Sequence, residues 1–186
     1  VLAGQDCRNG WIMKQNILIV DDHPIFRQGL FNLLAEEKSW NIVDEANDGH
    51  EAIEKVKSLT PDLIIMDISM PNLDGIQATR QILAESPNSK IVALSVHSDR
   101  RFVTDMIKAG AVGYILKESV GDEILTSIHT VLSGATYLSP MLSNTLVSEY
   151  KKLASETENP APTAVPLLHT KLHRPPISAD IIPRHR

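Results

Sequence analysis

The sequence predicts an α/β chain built on a doubly wound, five-stranded parallel sheet with an extra C-terminal helix and an irregular tail. Runs of four apolar residues recur at 17–20, 63–66 and 91–94, and strands apolar on both sides belong to sheets covered on both faces. Between them lie longer stretches whose apolar residues fall three and four apart, the period of an amphipathic helix. Right-handed crossovers wind such an alternation into one open sheet.

The elements follow in order. Ile17-Leu18-Ile19-Val20 reads as a buried strand stopped by Asp21-Asp22-His23-Pro24. From Pro24, which suits a first helical turn capped by Asp22 or His23, the residues Phe26, Leu30, Leu33 and Leu34 take helical spacing. Trp40 to Ala46 is a second strand, and Asn47-Asp48-Gly49 leads to a helix carrying Ala52, Ile53 and Val56. Leu63 to Met66 is a third strand ending at Asp67; a Pro-Asn-Leu-Asp-Gly turn over 71–75 opens a helix running to about Glu85. Lys90 to Ser95 is a fourth strand, and Asp99 opens a helix with Phe102, Met106 and Ala109 on one side. Gly113 to Leu116 is a short fifth strand. Ser119 then caps a helix whose Ile124, Leu125, Ile128, Val131 and Leu132 form a wide apolar stripe. Ser139-Pro140 starts a last amphipathic segment with Leu142, Leu146 and Tyr150.

Composition removes several function classes. With 42% hydrophobic and 22% charged residues the chain folds around a core rather than staying disordered. No apolar run approaches the roughly 20 residues of a spanning helix. Cys7 is the single cysteine, so a disulfide-stapled secreted domain is excluded. A formal charge of −5 argues against a protein whose whole surface grips nucleic acid, and two Trp, three Tyr and three Phe are too few for base-stacking platforms. The expected product is cytoplasmic, without membrane contact. Residues 1–13 read as upstream sequence before a natural start at Met13, and 154–186 holds six of the eleven prolines and reads as irregular.

In a doubly wound sheet, ligands bind beyond the carboxyl ends of the strands. Asp21 and Asp22 follow strand one, Asp67 ends strand three, Ser95 ends strand four and Lys117 follows strand five, so all five are expected at one edge. Three carboxylates in one crevice repel each other unless a cation intervenes, and Mg²⁺ suits one or two carboxylates plus phosphate oxygens. Lys117 brings a compact charge for a tetrahedral anion and Ser95 a small hydroxyl. Together they form a phosphoryl-transfer site with a carboxylate acceptor. Taken singly, each residue has a plainer role: a helix cap, a turn acid, a loop serine, a solvated lysine. Four strands agreeing on one edge favour the chemical reading. His23 and His97 lie near the site by sequence and read as rim residues; His169 and His173, flanked by prolines, read as tail.

From Lys14 to about Ser133 the sequence resembles the receiver domain of bacterial two-component response regulators, the CheY fold. The resemblance is carried by ILIVDDHPIFRQGL (17–30), PDLIIMDISMPNLDG (61–75), VALSVHSD (92–99) and AGAVGYILKES (109–119). DDHPIFRQGL, GYILK and the exit at 134–140 resemble the NarL/FixJ-type subfamily, whose members normally carry a C-terminal helix-turn-helix. The resemblance implies a flavodoxin-like strand order 2-1-3-4-5 and a receiver over 14–134, followed by a linker helix over 135–153. It implies Asp67 as phosphoacceptor and Mg²⁺ held by Asp22, Asp67 and the backbone carbonyl of Ser69, with Asp21 acting largely through water. It further implies Lys117 paired with the phosphate, Ser95 as switch hydroxyl and Tyr114 as switch aromatic. A sensor histidine kinase is the implied donor and a phosphorylation-dependent homodimer the implied assembly. Glu118 stands where many receivers have proline, which bears on the local backbone and not on the chemistry.

Such a protein is a phosphoacceptor rather than an enzyme, and by subfamily a transcription regulator. A helix-turn-helix needs at least about 45 residues. Residues 154–186 are too few, and their charged groups (Lys171, Arg174, Arg184 and Arg186 against Glu156, Glu158 and Asp180) net only +1. A DNA-binding half lost by truncation or frameshift is therefore expected, ahead of a stand-alone receiver acting through protein contacts. An aspartyl-nucleophile phosphatase is a third reading, disfavoured because no second acid/base or substrate cap is evident.

Overall fold

A computed structural model describes residues 14–142. Residues 1–13 and 143–186, with Cys7, Met13, Leu146, Tyr150, His169 and His173, lie outside them. The order of elements is β1 (Gln15–Val20), α1 (Pro24–Ala35), β2 (Trp40–Ala46), α2 (Gly49–Leu59), β3 (Leu63–Asp67), α3 (Gly75–Glu85), β4 (Lys90–Ser95), α4 (Arg100–Ala109), β5 (Gly113–Leu116), α5 (Val120–Leu132) and β6 (Tyr137–Leu138).

The sheet is parallel throughout, in the order β2-β1-β3-β4-β5-β6. The expected doubly wound order is present, extended by a sixth strand that the expectation of a linker helix from residue 135 did not include. Two residues are too short to show a period-two alternation, so β6 leaves no pattern to read. The helical conformation expected after Ser139 is present over 140–142.

The pleat sorts each apolar run between two layers. Leu18, Val20, Ile64, Met66, Ile91, Ala93, Tyr114 and Leu116 face the layer closed by α2, α3 and α4. Ile17, Ile19, Leu63, Ile65, Val92, Leu94 and Ile115 face the layer closed by α1 and α5. Both sets are buried, which is why these strands read as unbroken apolar runs. Edge strand β2 is half exposed, with Asp44 paired to Lys55 of α2 and Glu45 to Arg27 of α1, and its register shifts opposite Ile17 and Leu18.

Helix starts follow side-chain chemistry where caps exist. Asp48, Asp74 and Asp99 accept from the amides of Glu51, Gln77 and Arg101. Helix α1 begins at Pro24 with His23 in the cap position but no side-chain cap bond, and Ser119 likewise precedes α5 without one. Around Glu118, Lys117–Ser119 forms a single 3-10 turn that leads directly into α5.

Candidate functional site

Strand ends position the site. Asp21 (0% exposed) and Asp67 (1%) are sealed at the ends of β1 and β3, because the strands that carry them are core on both faces. Asp22 keeps 28% of its side chain open to solvent. Lys117, first residue after β5, extends over the Phe26 ring, with Nζ 4.7 Å from its centroid, and reaches both buried acids: 2.7 Å to Asp21 Oδ2 and 2.8 Å to Asp67 Oδ2. Asp67 Oδ1 also accepts from the Ser69 amide at 3.3 Å. On the other side His23 Nδ1 stands 2.7 Å from Asp22 Oδ1 and 3.3 Å from Asp21 Oδ1, while its amide donates to Asp21 Oδ1.

The charge balance of this cluster is unfavourable as it stands. Burial pushes the Asp67 carboxyl above its ordinary value; the Lys117 hydrogen bond lowers it, and the neighbouring Asp21 charge raises it again. For Lys117, burial disfavours the ammonium, but its bonds to Asp21 and Asp67 outweigh that and hold it above its ordinary value. One ammonium thus serves two buried acids, and Asp67 stays under-compensated. Asp21 Oδ2 is buried with Lys117 Nζ 2.7 Å away, and Asp22 Oδ1 is buried 2.7 Å from His23 Nδ1. Asp21, Asp22, His23 and Asp67 present ligand atoms all within 4.8 Å of one another. Three carboxylates crowded this closely, two of them sharing one ammonium, fit a divalent cation.

Of the residues singled out from sequence, Asp21, Asp22, Asp67 and Lys117 come together. Ser95 lies buried at the end of β4, with its hydroxyl accepting from the His97 amide at 2.9 Å. Tyr114 does not reach the carboxylates. It is packed inward, 1% exposed, and its hydroxyl donates to the His97 carbonyl at 2.9 Å. Burial raises the hydroxyl's pKa and keeps it a donor. His97 is more than a rim residue: its backbone joins Ser95 to Tyr114, and its ring stacks on Phe102 at 4.3 Å.

Three supports escaped sequence reasoning. Gly75 N donates to Ile68 O, and a Cβ at Gly75 would lie 2.0 Å from the Asp67 carbonyl oxygen, so α3 can start this close to the acid only with glycine. Arg27 bonds both the Asp21 carbonyl and Glu45, tying the end of β1 to β2. Phe26 supplies the aromatic floor for Lys117. The glycine signal was present in the Pro-Asn-Leu-Asp-Gly turn; the other two sit on α1 with nothing to distinguish them from ordinary helix residues.

A winding that gathers carboxylates and a lysine at the carboxyl edge of a β2-β1-β3-β4-β5 sheet defines the class of receiver modules. Residues 17–129 match the response regulator receiver domain, and the chain belongs to that family. It is 39% identical over 145 residues to the transcriptional regulatory protein DegU of Brevibacillus brevis, covering 78% of this chain and 61% of that protein. It is 36% identical over 130 residues to the response regulator GacA of Pseudomonas viridiflava, covering 70% and 61%. The chain therefore spans about three fifths of the length of these curated relatives. Among solved structures, a LuxR-family two-component response regulator from Aurantimonas sp. SI85-9A1 superposes with a TM-score of 0.71 at 33% identity, over 74% of this chain and 98% of that one. The response regulator domain of Thermotoga maritima CheB gives 0.60 at 29% identity, over 64% and 97%. The expected family, NarL-type kinship and fold are those found. Among the described residues no helix is long and apolar enough to cross a membrane.

Proposed function

We propose that this receiver takes a phosphoryl group on Asp67 from a phosphohistidine of a sensor histidine kinase. The observation that carries the reading is Lys117 Nζ held between Asp67 Oδ2 and Asp21 Oδ2, at 2.8 and 2.7 Å, beside the open carboxylate of Asp22. A carboxylate oxygen of Asp67 attacks phosphorus, the bond from phosphorus to the donor nitrogen breaks, and the imidazole leaves with its electron pair. Lys117 offers its donors to the phosphoryl oxygens, a stabilisation that needs positioning more than covalent chemistry. Asp21, Asp22 and Asp67, with the Ser69 carbonyl, would hold Mg²⁺, which when bound neutralises charge on the same oxygens. Water later attacks the acyl phosphate and returns Asp67, so the protein is a phosphoacceptor that assists its own loading and unloading.

A donor protein has a seat beside the site. An open apolar cavity of about 580 Å³ adjoins Lys117 and His23 and is lined by Ile25, Phe26, Leu30, Leu33, Val96 and Val120. Ile25 (91% exposed) and Val96 (68%) stand free at its mouth. Loading replaces one negative charge by about −2 and gives Ser95 a new acceptor, shifting the balance of packings at the α4-β5-α5 face. That shift would underlie a phosphorylation-dependent homodimer. Control of transcription would act through a DNA-binding domain beyond the receiver at 14–134. The experiment is labelling by acetyl phosphate in Mg²⁺: the native chain takes up about one phosphoryl group and Asp67→Asn takes up none, whereas equal labelling of both would remove Asp67 from the reaction.

A further inference from the structure

Beyond α5 the chain doubles back across the free edge of β5. Gly134, at φ 96°, makes the turn. Tyr137 N then donates to Val112 O and Ser139 N to Tyr114 O, each at 3.0 Å, pairing Tyr137 and Leu138 with Gly113 and Tyr114. The segment straddles both core layers: Tyr137 packs on the α1 and α5 side, Leu138 on the other. Leu142, 1% exposed, lies in the layer that holds Val103, Met106 and Tyr114. One carboxylate clasps the segment. Glu123 Oε2 accepts from the Tyr137 hydroxyl at 3.2 Å and Oε1 from the Ser139 hydroxyl at 3.0 Å. Burial and that carboxylate raise the pKa of the Tyr137 hydroxyl, keeping it a donor.

The same contacts lead back to the site. Ser139 N is bonded to the carbonyl of Tyr114, the Tyr114 hydroxyl to the carbonyl of His97, and His97 N to Ser95 Oγ. We propose that residues 137–142 form a docked strap, clasped by Glu123, whose release from β5 reports the loading of Asp67 to the chain beyond Leu142. The proposal rests on the phosphoacceptor reading above. A phosphoryl group on Asp67 offers the Ser95 hydroxyl a charged acceptor; as Oγ turns to it, His97 N loses its partner. The His97 carbonyl then relaxes, Tyr114 loses its hydroxyl anchor, and the strap is paired to the backbone of Tyr114 itself. A two-residue pairing sits at the weak end of the stability range, so a small bias suffices to shift it. Glu123 is a positioning residue, touching neither Asp67 nor the phosphoryl group. Linkage makes the coupling reciprocal: if loading favours release, loosening the strap favours loading.

The test uses the full chain with Mg²⁺ and beryllofluoride as the phosphoryl mimic, bound fluoride being followed by fluorine NMR and the amides of Tyr137 and Ser139 by hydrogen exchange. Loading is expected to speed exchange at those amides by about tenfold. Glu123→Gln and Tyr137→Phe, which remove only charge or a hydroxyl, are expected to speed it without a ligand, leave β1 and β3 exchange unchanged, and tighten beryllofluoride binding roughly fivefold. Bound fluoride with unmoved strap amides overturns the strap and leaves the receiver reading standing. Faster strap exchange in the variants at unchanged beryllofluoride affinity shows a passive cover and also overturns it. No bound fluoride at all overturns both readings.

Discussion

Lys117 is where stability and the proposed chemistry meet in one side chain. Its ammonium is shared by two acids that are 0% and 1% exposed, and its Nζ lies over the Phe26 ring. Lys117→Met keeps the apolar stem and removes the charge, leaving Asp21 and Asp67 to repel each other in a buried site. The expected cost is about 3 kcal/mol in urea unfolding at neutral pH, together with a fall of about 100-fold in the rate of acetyl phosphate labelling. An unchanged labelling rate would exclude Lys117 from the phosphoryl site. Residues such as Lys117 and Asp67 were legible because a strand end fixes where a side chain must be, and four-residue apolar runs announce strand ends. Arg27 and His97 were not legible as supports for the opposite reason. Arg27 bonds the Asp21 carbonyl and the His97 carbonyl accepts from Tyr114, and no side-chain pattern encodes such backbone pairings.

At the scale of elements, the loops after β2 and β3 are joined by one acid. Asp48 caps α2 through the Glu51 amide at 2.9 Å and with its other oxygen accepts from Asn72 at 2.8 Å. Asn72 lies in the left-handed region at φ 64°, in the loop that follows Asp67. The Glu51 amide first, and the Asn72 amide next, hold the Asp48 carboxyl below its ordinary value of 3.8. A carboxyl depressed in the folded state stabilises fully above its unfolded pKa, and that contribution is lost as pH falls through the folded value. Asp48→Ala is therefore expected to cost about 1 kcal/mol at pH 7, with the gap to the native chain narrowing below about pH 3.8. A gap that stays constant down to pH 2 would mean the cap contributes nothing through its charge. This element was readable, since Asn-Asp-Gly before an apolar helical stripe is a cap signal. Strand β6 was not: its Tyr137 and Leu138 match the helical segment that follows as well as they match a strand, and only the open edge of β5 decides between them.

For the whole molecule, the site and the fold are one structure. Asp21, Asp67, Ser95 and Lys117 terminate or follow four strands whose other residues are the two core layers, so no part of the site can form before the sheet does. A cation that binds the folded site and not the unfolded chain must then raise the stability of the entire receiver, by about 1.4 kcal/mol at a tenfold excess over its dissociation constant. Urea unfolding of the native chain is accordingly expected to shift to higher denaturant as Mg²⁺ is added and to return with a chelator, with the slope unchanged because the surface exposed is the same. Asp22→Asn removes one charge from a partly open side chain and should abolish the Mg²⁺ shift while leaving the metal-free midpoint nearly in place, since Asp22 contributes no core contact. A Mg²⁺ shift of equal size in Asp22→Asn would place the ion elsewhere on the surface. The close approach of Asp21 and Asp22 would then be the cost of crowding carboxylates at a strand edge rather than the preparation of a metal site.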